Sequence, residues 1–117
     1  MVMNHPHSSA YPVSEPVFFI LLSLSAGRKH GYAILKDIET MSEKALLLST
    51  STLYGALSRL EEQGFVRRVP VGNQVTPGLP RKVYELTPQG LELLQGEAGR
   101  LHRMAALAHR CLAGTSL

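Results

Sequence analysis

The chain has 117 residues and a formal charge of +3, with 44% hydrophobic and 18% charged residues; the length suits one domain with a single modest core, and the balance excludes a disordered chain. Its best uncharged apolar run, Val17–Ala26, is ten residues, against the roughly 18 that cross a bilayer. A lone cysteine, Cys111, excludes an internal disulfide and a cysteine-cluster zinc site.

Residues 1–13 mix His, Ser and Pro, carry no Asp, Glu, Lys or Arg, and read as a flexible tail. With no Lys or Arg ahead of an apolar segment they do not read as a signal peptide, so a cytoplasmic protein is expected. Ser14 is an N-cap, with Glu15 and Pro16 in the first turn, for a helix to about Ala26. Its Val17, Phe18, Ile20, Leu21, Leu22 and Leu24 leave little polar face. Gly27 ends it, Arg28–His30 is a connector, and Gly31 leads into a second helix to about Met41. There Tyr32, Ile34, Leu35, Ile38 and Met41 form the apolar stripe, while Lys36, Asp37 and Glu39 face outward. Leu46–Leu48 is a candidate short strand. Ser49, Thr50, Ser51 and Thr52 are consecutive candidate caps for a third helix to about Gln63, with Leu53, Ala56, Leu57 and Leu60 inward and Gly64 as C-cap. Phe65–Val71 and Arg81–Leu86 are strand-like, and Gly72–Pro80 is the hairpin tip between them. Thr87 and Pro88 cap a final helix reaching about Ala113.

This order predicts a mainly α fold with a small β-hairpin, a winged helix-turn-helix followed by a long C-terminal dimerisation helix. The expected division is a tail over 1–13, a winged-helix DNA-binding domain over 14–86 and the dimerisation helix over 87–114.

On the third helix, stepping 100° per residue sets Ser51, Tyr54, Gly55, Ser58 and Glu62 opposite the leucines. A small, hydroxylated face of this kind suits a major groove about 12 Å wide. Thr50, Ser51, Thr52, Tyr54, Ser58 and Arg59 are therefore the candidate contacts to double-stranded DNA, with a phosphate favoured at the helix N-terminus. Each has a plainer alternative: the Ser and Thr residues as caps, Tyr54 packed on the hairpin, Arg59 paired with Glu61 or Glu62. Residues 65–84 carry Arg67, Arg68, Arg81 and Lys82 and no acid. That concentration points to a polyanion, the alternative being a solvated charged hairpin. Arg68, Arg81 and Lys82, with Arg28, Lys29 and Lys36 around the second helix, are the candidate phosphate contacts.

In the last helix, Leu91, Leu94, Ala98, Leu101, Ala105, Ala108 and Leu112 step by three and four, a heptad seam over three repeats. With Phe18 they are the candidate homodimer contacts, the alternative being a helix folded back on its own domain. No metal or cofactor site is expected: His102 and His109 sit two turns apart, about 10 Å, too far for one ion, and no nucleophile triad or phosphate-binding loop is present.

His30-Gly31-Tyr32-Ala33-Ile34, Ser51 through Val66, and Arg81 through Gly90 together resemble the PadR family of bacterial transcriptional regulators. The resemblance spans about Val17 to Leu94, and the short C-terminal part resembles the smaller subfamily with one C-terminal helix. It implies a homodimeric winged-helix repressor, released by a small-molecule or protein signal, with Thr50–Gln63 in the major groove and Phe65–Leu86 as the wing. It also implies that the helix over Pro88–Ala113 builds the dimer with the first helix. In drug-binding relatives tryptophans sandwich a flat aromatic ligand at the dimer centre. This chain has no tryptophan, so a small aromatic ligand there would meet only Phe18, Phe19, Met104 and leucines. The chain also has Ser49-Thr50 where the family motif has Gly or Pro before the recognition helix, and an uncharged wing tip. The competing functional reading is a winged-helix protein–protein interaction module without specific DNA binding.

Overall fold

The computed structural model describes residues 13–70 and 82–114. Helix α1 (Glu15–Leu24) starts where Ser14 Oγ accepts the Val17 N–H, with proline in its first turn. It ends two residues before the expected Ala26, and Gly27 at φ +134° makes a turn that a side chain would strain. Strand β1 (Lys29–His30) leads directly into α2 (Gly31–Met41), then α3 (Thr50–Glu62), β2 (Val66–Val69), β3 (Val83–Leu86) and α4 (Pro88–Ala113). The sheet order is β1-β3-β2, all antiparallel, with Arg67 opposite Glu85 and Arg68 opposite Tyr84. Helix-turn-helix and wing thus occur in the expected order, and the fold is a winged helix.

One core serves every helix. Ile20, Leu21 and Leu24 of α1, Ile34 and Ile38 of α2, Leu53, Leu57 and Leu60 of α3, Val66 and Tyr84 of the sheet, and Leu93 and Leu94 of α4 form one buried cluster. The core therefore runs through the expected boundary at residues 86 and 87.

Several local expectations are corrected. Leu46–Leu48 is not a strand. Its first N–H is taken by Ser42 Oγ at 3.0 Å, in a turn made by Glu43 and Lys44 at positive φ, so it lies along no strand edge. The short strand is instead Lys29–His30, read as a connector, because β3 offers its second edge there through Lys29 opposite Tyr84. Tyr32 and Met41 lie outside the buried stripe, which is centred on Ile34 and Ile38. Tyr32 sits about 160° round the helix from Ile34. The wing strands are shorter than expected, and the tip over 71–81, Arg81 included, lies outside the described residues, as does the tail before Val13.

Asp37, expected to face outward, instead ties α2 to its neighbours. Its Oδ2 accepts the hydroxyl of buried Ser23 at 2.8 Å and pairs with Lys29 Nζ. Burial pushes this carboxyl up, but the hydrogen bonds from Lys29 and Ser23 and the Lys29 charge outweigh it, leaving it below its ordinary value. A depressed carboxylate stabilises the fold above the unfolded-chain value, about 3.9, and that contribution is lost as pH falls through the folded value. Asp37→Asn is expected to lower Tm at pH 7 by roughly 2–4 °C. It should also flatten the decline of Tm below about pH 4. Thermal unfolding followed by circular dichroism across pH checks both; a decline as steep as wild type would place the acid sensitivity elsewhere.

Helix α4 has two halves. Gly90, Leu93 and Leu94 are buried against the domain, whereas residues 101–113 are exposed except for half-buried Ala106. No helix among the described residues is long and apolar enough to cross a membrane.

Candidate nucleic-acid interface

Helix α3 is built by its cap. Ser49 Oγ accepts the Thr52 N–H at 3.1 Å and donates to Thr52 Oγ1 at 2.9 Å, so these two hydroxyls hold the helix start together. Leu53, Ala56, Leu57 and Leu60 then anchor it in the core, all buried as the spacing predicts. Thr50, Ser51, Thr52, Ser58 and Arg59 are consequently exposed. Arg59 forms no ion pair among the described residues, because Glu61 is engaged by Arg68 at 3.4 Å instead.

Tyr54 takes the packing role. It is half-buried, and a Cβ placed on Gly31 would lie 2.2 Å from its hydroxyl, so the phenol occupies the space that Gly31 leaves. Its ring stands 6.3 Å from that of Tyr84 on β3, with Lys82 Nζ 5.9 Å above it. Tyr54 thereby fixes α3 against both α2 and the wing. Burial, and then the neighbouring Tyr54, push the Tyr84 phenol above its ordinary value, while Arg68 pulls the other way.

The wing's cations have acidic partners that a window ending at residue 84 missed. Glu85 accepts Arg67 Nε at 2.6 Å and lies 3.4 Å from Arg28, so two guanidiniums converge on one carboxylate across the sheet. Arg28 and Arg68 remain more than half exposed, and Lys36 is 3.8 Å from Glu39. Exposed pairs of this kind contribute about 0–1 kcal/mol, so a phosphate can replace the carboxylate. Lys29 differs. Its side chain is only 22% exposed and engaged with Asp37, which leaves it less available to a phosphate than Arg28 or Arg68. Among the described residues Lys82 has no carboxylate partner, only the Tyr54 ring.

Tyr32, like Met41, is a residue the sequence pattern misplaced. Assigned to the core stripe, it is 69% exposed at the start of α2, and it borders a cleft of about 230 Å³ with Leu35, Thr50 and Tyr54. Its offset from Ile34 on the helical wheel was the available signal.

The expected dimer residues divide. Leu94 is buried in the protomer's own core, so a partner cannot reach it. Leu91 and Leu101 are partly exposed and Leu112 largely so, while Ala98, Ala105 and Ala108 are exposed. Met104 and Leu107, absent from the strict heptad, are about half exposed beside them. Phe18 and Phe19, edge to face at 6.0 Å, line a groove of about 340 Å³ between α1 and α4 with Val13, Leu101 and the Glu97–Arg100 ion pair. The hydrogen bond from Arg100, with burial opposing, holds the Glu97 carboxyl below its ordinary value. No cluster of metal-ligating side chains occurs among the described residues.

The fold recurs in solved structures. A PadR family transcription regulator from Clostridium difficile is 23% identical, with a TM-score of 0.69 over 85% of this chain and 99% of that one. A PadR family transcriptional regulator from Eggerthella lenta is 26% identical, with a TM-score of 0.63 over 82% of each chain. Bacillus subtilis PadR in complex with operator DNA is 26% identical, with a TM-score of 0.56 over 69% of this chain and 45% of that one. No curated protein is significantly similar in sequence. The sequence profile described as the transcriptional regulator PadR-like family matches residues 20–96, from α1 through the wing into α4. With a winged helix carrying that profile over more than half its length, the chain belongs to the PadR-like family of transcriptional regulators and is not an enzyme.

Proposed function

We propose that this chain is a homodimeric, cytoplasmic repressor that binds a specific operator through α3 and the wing, residues 14–86 forming the reading unit and 87–114 the dimerising helix. The observation that carries the reading is the polarity of α3. Its leucines are buried while Thr50, Ser51, Thr52, Ser58 and Arg59 stand exposed on a rigid, capped helix, the arrangement by which a recognition helix presents side chains to base edges. The operator complex of Bacillus subtilis PadR, a relative of similar fold, supports it. Tyr54 with Lys82 forms the join between helix and wing, and Arg28, Lys36 and Arg68, with Arg81 by its place in the sequence alone, are the phosphate contacts.

The second copy is supported by α4. Leu101, Met104, Ala105, Ala108 and Leu112 continue, along one face, the stripe that Leu93 and Leu94 bury within the protomer. A helix half that leaves its domain with an apolar face needs a matching surface, and a two-fold partner supplies one while setting two recognition helices for a two-fold operator. The groove beside Phe18, Phe19 and Leu101 is where a small aromatic signal molecule would act on that dimer.

The test is salt dependence. Binding to a duplex selected by the protein from random sequence should weaken steeply between about 50 and 200 mM salt. Replacing Arg81 and Lys82 with alanine should lower the slope of log K against log salt by about 0.9 for each phosphate left without its cation, and keep the selected sequence unchanged. Fluorescence anisotropy over a salt series checks both. Failure to select any duplex would favour the protein-interaction reading instead.

A further inference from the structure

Four of the described glycines have a reason inside the protomer. Gly27 and Gly64 adopt positive φ, Gly31 makes room for the Tyr54 phenol, and a Cβ on Gly90 would lie 2.0 Å from the Phe65 carbonyl oxygen. Gly55 has none of these. It sits in the middle of α3, its φ is not positive, and the nearest heavy atom to an added Cβ is Arg59 Nη1 at 3.8 Å, an ordinary contact. Alanine would fit, and would be preferred, because a glycine inside a helix loses more backbone entropy on folding. Gly96 and Gly99 also stand inside a helix without positive φ, so the cost alone does not single out Gly55; its place on α3 does. The position is telling: Gly55 lies opposite the buried Leu53, Leu57 and Leu60, one turn after exposed Ser51 and just before exposed Ser58.

We infer that Gly55 is a positioning residue for DNA: its bare backbone is where α3 comes closest to the duplex, and the missing side chain sets how deeply the helix seats in the major groove. The inference rests on the DNA reading above. An added methyl would hold the helix off, lengthening several contacts from Ser51, Ser58 and Arg59 at once rather than deleting one. Gly99 supplies the comparison. It is also inside a helix, and the nearest heavy atom to an added Cβ is the mobile end of Arg103 at 3.4 Å, but it stands on α4, away from this face.

The experiment uses a duplex selected from random sequence by the wild-type protein, and a scrambled duplex of equal length. Gly55→Ala should melt a few degrees above wild type yet bind the selected duplex tenfold or more weakly, with affinity for the scrambled duplex unchanged. Gly99→Ala should also melt higher, and bind the selected duplex as wild type does. A Gly55→Ala protein that binds the selected duplex within twofold of wild type overturns the inference. So does one that melts below wild type, which would reveal an internal reason for the glycine. A wild-type protein that selects no duplex overturns the DNA reading itself, and this inference with it.

Discussion

Ala108→Asp is expected to turn the protein into a monomer and to weaken operator binding by about 100-fold or more. Ala108 is exposed on the overhanging half of α4, on the same face as Leu101, Ala105 and Leu112. In an isolated protomer an aspartate there would remain in water and cost only helix propensity, about 0.5 kcal/mol. In a two-fold dimer each copy would bring an unpaired carboxylate into an apolar seam, and desolvating such an ion costs several kcal/mol. Since 1.4 kcal/mol is tenfold in affinity, about 3 kcal/mol already moves the dimer constant by two decades. Operator binding should fall with it, because a lone protomer reaches one half-site and about half of the phosphates. Sedimentation velocity and anisotropy on the same samples read both effects, with Ala108→Ser as the small, uncharged control. A dimeric Ala108→Asp protein would place the interface on another surface.

The second large effect is on folding. Gly90→Ala is expected to cost about 3 kcal/mol, lowering Tm by roughly 12 °C or more. Gly90 stands in the first turn of α4, where Thr87 caps the helix by accepting the Gly90 N–H at 3.0 Å and donating its own hydroxyl to Gly64 O at 2.6 Å. That pair of bonds draws the start of α4 onto the end of α3. The added methyl would meet the Phe65 carbonyl oxygen at 2.0 Å and the Leu86 side chain at 3.1 Å. The first contact is with backbone, which has no rotamer to escape into, and Thr87 N–H already holds that same carbonyl at 3.2 Å. Relief therefore requires moving α4 as a body, away from Leu93 and Leu94 in the core. Differential scanning calorimetry checks the shift, and a variant melting within a few degrees of wild type would show that the junction can flex.

How far the site was legible follows from the range of each signal. The buried face of α3 was read correctly from Leu53, Ala56, Leu57 and Leu60, and its exposed side from Ser51 and Ser58, because helical spacing acts over three and four residues. The charge pattern fared differently. Arg67 and Glu85 are 18 positions apart, and Arg28 reaches the same carboxylate from before α2; no window along the chain brings those three groups together. Lys29 looked like a free cation beside Arg28 until the sheet placed it under Asp37.

The sequence by itself determined the four helices, the wing and their order: Ser14 and Thr87 as caps, Ser49 as one of four candidates, a proline in the first turn of α1 and of α4, Gly27 and Gly64 as stops, and apolar periodicity from α1 to α4. Those signals are local, carried by bonds and contacts within about one helical turn. Tertiary structure alone decided which edge β1 would occupy, that Tyr54 would brace rather than project, that Tyr32 would face solvent, and that Leu94 would be buried inside the protomer while Leu101 onward was left uncovered. Each of these depends on what lies opposite in space, and the buried surface open to a helix is fixed by its neighbours rather than by its own spacing.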